Sequence, residues 1–135
     1  MSLKSQAGNR AALDGLNALA NGGTLRIYSG AVPATADEAL GAQEQQATVT
    51  LSGTAFGAAT GTTTATAALA GVPLNTTVTG GGGLVTFARI IASDTTTVVA
   101  QYTVGILDED IIFPTATWVA GGNVSITGLN NTLPL

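Results

Sequence analysis

The chain has 135 residues and 13.3 kDa, room for one ordinary domain. Four basic against eight acidic residues give a net charge of −4 and a pI near 4.2, a balance without the basic stripe that nucleic-acid binding needs. With no His and no Cys, the commonest general base, thiol nucleophiles, zinc centres and disulfides are excluded together.

The apolar class is large but small-bodied. Ala, Gly and Thr fill 63 of the 135 positions, and only six residues are aromatic. A buried Ala removes little surface, whereas a buried Leu, Val or Phe contributes about 1.5–3 kcal/mol, so a thin core is expected. Charged residues make up 9%, against about 25% in an average soluble domain. Few bulky interior groups and few solvating charges predict a domain that gains stability by assembling. Mean hydropathy of +0.40 argues against disorder. No apolar run is long enough for a membrane-spanning helix. The segment after Lys4 and Arg10 is broken by Asp14 and Asn17 and is not followed by a cleavage pattern. The expectation is therefore a chain without a signal peptide and without a membrane partner.

In chain order, residues 1–23 read as a helical segment and 24–135 as a β-sandwich. Ala12, Leu13, Leu16, Leu19 and Ala20 form one stripe at helical spacing, closed by Asn21-Gly22-Gly23. The period then changes to two. Leu25 and Ile27 predict a strand, 31–45 a connecting loop with one helical turn near Asp37–Leu40, and Ala47, Val49 and Leu51 a second strand. Thr62–Leu69 is a weaker strand, and Gly71–Gly83, with four consecutive glycines at its end, reads as a mobile loop.

The clearest pattern lies between Leu84 and Gly105. Val85, Phe87, Arg89 and Ile91 share one face and Leu84, Thr86, Ala88 and Ile90 the other; Ser93–Thr96 turns, and Val98, Ala100, Tyr102 and Val104 alternate back. This is a hairpin with long arms. Because both faces are partly apolar, one is expected on the core and one against a partner. Short strands follow at Ile111–Phe113 and Thr117–Ala120, then Gly121-Gly122 and a strand with Val124 and Ile126 inward. About seven short strands predict a mainly β, antiparallel sandwich or jelly-roll-like domain with a short N-terminal helix.

Chemistry-bearing clusters are few. Asp108-Glu109-Asp110 lacks the alternate spacing of a calcium loop and reads first as a solvated turn. The glycine tract has no G-x-x-x-x-G-K-[ST] pattern. None of the six serines lies in G-x-S-x-G. No catalytic residue, cofactor or metal is assigned, and an enzyme is not expected. Arg89 interrupts an apolar strand face; it either snorkels to solvent or pairs with an acid of the 108–110 triplet across a subunit contact. Leu129, Leu133 and Leu135 form either a terminal arm that adds to a neighbour's sheet or the last strand of the same domain. Candidate assembly residues are Leu13, Leu16, Leu19, Arg89, Tyr102, Leu129, Leu133 and Leu135.

The succession Leu25-Arg26-Ile27-Tyr28-Ser29-Gly30, Pro33-Ala34, Ala39-Leu40-Gly41, Ala47-Thr48-Val49-Thr50-Leu51-Ser52 and Ala55-Phe56-Gly57 resembles small proteins encoded among the virion genes of tailed bacteriophages and prophages. Phe87-Ala88-Arg89-Ile90, Val98-Val99-Ala100-Gln101 and Gly121-Gly122-Asn123-Val124-Ser125-Ile126 extend the resemblance. Glu44-Gln45-Gln46 and the Gly80–Gly83 tract depart from it. The resemblance implies a virion structural protein: a capsid decoration (cement) or minor capsid protein, a homo-oligomer such as a trimer, bound to the major capsid protein on the shell surface and made in the host cytoplasm. The alternative is a tail or baseplate adhesin that binds host glycan through Trp118 and Tyr28.

Overall fold

The computed structural model describes residues 4–134. The helix α1 (Gln6–Ala18) starts where Ser5, in extended conformation, accepts a hydrogen bond from the Gly8 N–H on its Oγ at 3.0 Å, satisfying one orphan donor of the first turn. Among the described residues ten strands follow, so the domain is mainly β with one short N-terminal helix. Among the described residues no helix is long and apolar enough to cross a membrane.

The principal sheet runs β2-β1-β5-β6-β7, made of β2 (Glu44–Thr50), β1 (Thr24–Ser29), β5 (Gly83–Ile91), β6 (Val98–Gly105) and β7 (Ile111–Ile112), with β8 (Thr117–Trp118) also paired to β5. All these pairs are antiparallel except β6–β7, which is parallel. Two ribbons complete the fold: β3 (Thr64–Ala68) with β10 (Asn130–Pro134), and β4 (Leu74–Thr77) with β9 (Asn123–Ile126). The alternation visible in the sequence becomes one core layer. Leu25 lies opposite Val49 and Ile90, and Ile27 opposite Ala47 and Ala88, all of them buried against Leu13, Ala65, Ala67, Val85, Ile126 and Leu129. Such burial is the main favourable term in the fold.

Several expectations need correction. The second face of β5 is not left for a partner, because the chain covers it with its own segment 31–43. Tyr28 and Phe87 stack there with ring centroids 5.0 Å apart. Gln101 Nε2 donates to Pro33 O at 2.9 Å, and Arg89 Nη2 to Glu38 O at 2.8 Å. The segment Gly71–Gly83 is no loose loop either, for it contains β4. Val78 is buried beyond that strand, Thr79 N donates to Gln46 O, Gly82 N to Gln46 Oε1 and Gly81 N to Glu44 Oε1. The glycines are needed for close approach: a Cβ on Gly80 would meet Gln46 Oε1 at 2.5 Å, and Gly82 has φ +86°.

The helix also presents an unexpected face. Its buried residues are Asn9, Leu13 and Asn17, one i, i+4, i+8 line. Leu19 lies about 120° round the helix from Leu13 and is 54% exposed. Asparagines win the inner line because β10 supplies partners. Asn9 Nδ2 donates to Leu133 O at 2.6 Å, Asn131 Nδ2 to Asn17 Oδ1 at 2.6 Å, and Tyr102 Oη to Asn131 Oδ1 at 2.5 Å. This polar seam fastens the last strand to the first helix, so the chain end 129–134 is the final strand of its own domain rather than a donated arm.

Candidate functional site

The proposed assembly residues divide into two groups. Leu13, Arg89, Tyr102 and Leu129 are buried inside this chain and offer no side-chain surface to a neighbour. Leu16 and Leu19 are exposed, and Leu133 is half-buried against the core. Leu135 lies outside the described residues.

Arg89, only 3% exposed, neither snorkels nor meets the acidic triplet. Its guanidinium donates to Gln101 Oε1 at 2.9 Å, to Glu38 O at 2.8 Å and to Thr35 O at 3.3 Å, and its Cζ lies 6.0 Å from the Phe87 ring centroid. A buried charge needs its donors occupied; Gln101 takes Nε, and backbone carbonyls of the covering segment take Nη2. Tyr102 is likewise structural: burial pushes its phenol above the usual range, so it remains a donor to Asn131.

The acidic triplet diverges. Asp108 is exposed, the Glu109 carboxylate accepts from Leu107 N at 3.0 Å, and Asp110 Oδ2 accepts from Thr103 N at 3.0 Å. The Leu107 N–H holds the Glu109 carboxyl below its ordinary range. Among the described residues no three acidic side chains converge as a metal-holding group. The aromatic rings considered for sugar binding are interior as well. Tyr28 is buried under Phe87, while Trp118 is buried edge-on to Phe113 and donates its indole N–H to Thr115 O at 3.1 Å.

Exposed large apolar residues are the remaining feature. At the turn end of the β5–β6 hairpin, α1 brings Leu16 and Leu19 to the surface; the backbone after it approaches so closely that a Cβ on Gly23 would meet Ile91 O at 2.2 Å. At the other end, about 23 Å along β5 by strand rise, a groove of about 430 Å³ opens between the hairpin and residue 32. Val32, Leu84 and Ile106 on its walls are 48%, 58% and 53% exposed. Scattered surface leucines are ordinary; here three exposed apolar side chains share one concavity. Sequence periodicity missed this groove, because its lining comes from four separate segments of the chain. Compared with known proteins, the chain matches no family model, no curated protein and no solved structure.

Proposed function

We propose that the chain is a structural protein of a bacteriophage virion: a homo-oligomeric decoration or minor capsid protein that binds the major capsid protein on the outside of the head. The observation that carries this reading is the contrast between a closed apolar core and an apolar surface. Leu16 and Leu19 at one end, and Val32, Leu84 and Ile106 at the other, stand exposed around a core that the chain closes by itself. Two such surfaces suit a small unit that touches sister copies with one and the shell with the other. Individual contacts of this size are weak, and a lattice presenting many equivalent sites sums them. The motif resemblance to virion proteins supplies the setting. The burial of Tyr28 and Trp118 removes the platforms on which the glycan-binding alternative rested.

The test is imaging of the assembled particle, together with the mass of the isolated protein at micromolar concentration. Copies distributed over the head, and an oligomer that Leu19→Gln weakens without unfolding the chain, are the expected results. Absence from particles overturns the proposal, and copies confined to the tail return the adhesin reading.

A further inference from the structure

The groove at the open end of the hairpin has a chemistry that selects its occupant. Its floor and walls are Val32, Leu84, Val85, Val104, Ile106 and Ala116, and the polar side chain on its rim with a full charge is Glu109. That carboxylate is held in place. It accepts from Leu107 N and lies across Gly105, where a Cβ would meet the Glu109 Cδ at 2.2 Å, so only glycine at 105 leaves the carboxylate room to lie on the strand. Asp108, beside it in sequence, is exposed. No arginine is directed to this rim: Arg10 donates to Gly61 O, Arg26 to Thr24 Oγ1, and Arg89 to Gln101, Thr35 and Glu38.

A second copy docked through this same groove is a poor occupant. A two-fold contact places the same patch on itself, which would bring two Glu109 carboxylates and two Asp108 carboxylates to one partly desolvated seam. Like charges juxtaposed in a contact oppose it strongly. A partner with cations beside an apolar anchor gains on both counts: the anchor removes Leu84 and Ile106 from water, and the cations meet the fixed carboxylate.

We infer that this groove docks an extended segment of another protein that carries an apolar side chain flanked by lysine or arginine. The inference rests on the assembly reading above and names the partner's contact chemistry. It is tested by fluorescence anisotropy of the intact chain with two labelled synthetic peptides that share a central Leu-Ile pair, flanked by lysines in one and by glutamates in the other. The lysine peptide is expected to bind about tenfold tighter than the glutamate peptide, and to weaken as ionic strength rises from about 0.05 to about 0.3 M. Glu109→Gln is expected to remove most of that preference, and Leu84→Ser to remove binding of both peptides while circular dichroism is unchanged. Equal binding of the two peptides, or binding of neither, overturns the inference. So does an oligomer of the isolated chain that Leu84→Ser dissolves, because the occupant is then a sister copy. Particle imaging reads the virion assignment separately: lysine-peptide binding by a protein absent from particles sinks that assignment alone, and indifference to the peptides by a protein present on heads sinks only the groove.

Discussion

Adjacent residues of one strand show two different ways of burying a sheet. Ile90 is turned to the core layer beside Leu25 and Ala100, and contributes by losing contact with water. Arg89 is turned to the opposite face, is almost as thoroughly buried, and is held by carbonyl oxygens of 31–43. The first face would accept many side chains of similar volume. The second specifies one path for a segment in which only Pro33 is buried, because the guanidinium donors must find their oxygens. Apolar burial supplies stability on one side of β5, and directed hydrogen bonds supply conformational uniqueness on the other.

Three substitutions break this contrast in different ways. Ile90→Ala is expected to cost about 2–5 kcal/mol by transfer loss and cavity formation, read as a lower denaturation midpoint with all amides affected together. Arg89→Met keeps much of the apolar stem but leaves the Thr35 and Glu38 carbonyls unpaired, at a cost of about 1–3 kcal/mol. Its signature is local: hydrogen exchange should accelerate through 31–43 before the global transition, and uniform acceleration would show that the segment is not held by Arg89. Asp94→Ala has the smallest effect. The Asp94 carboxylate accepts from Thr97 N at 2.8 Å and Thr96 N at 2.9 Å in the β5–β6 turn. Hydrogen bonds, first of all from the Thr97 side chain, lower its pKa from 3.8 to about 2. A depressed folded-state pKa gives a contribution that is complete above 3.8 and is lost as pH falls through about 2. The difference between wild type and Asp94→Ala should therefore be constant near neutrality and vanish in strong acid; a difference that persists below pH 2 would assign it to another cause.

The β5–β6 hairpin was legible in the sequence because its evidence is local: two alternating runs and a turn between them. The strand β4 was not, since its partner β9 lies about fifty residues on and nothing within Leu74–Thr77 signals it. The existence of α1 was visible in leucine spacing, but its orientation was not. Hydropathy favours Leu16 and Leu19 as the inner line, whereas the structure buries Asn9 and Asn17 because Leu133 O and Asn131 meet them. Arg89 was legible as an anomaly on its strand, yet its solution depends on 31–43 folding back across the sheet. The same limit hid the groove, whose apolar walls at Val32, Leu84 and Ile106 become neighbours only after the hairpin and its cover are in place.

The glycine run 80–83 has a practical consequence for anyone who would use this scaffold to display foreign epitopes. A stretch so poor in side chains invites insertion, but here the main chain is clamped on Gln46 and passes beneath Trp118 O, which a Cβ on Gly82 would approach to 2.7 Å. A guest peptide spliced there would pry the β4–β9 ribbon from the principal sheet. The tip of the β5–β6 hairpin, whose residues 93–97 are exposed, is the safer graft point.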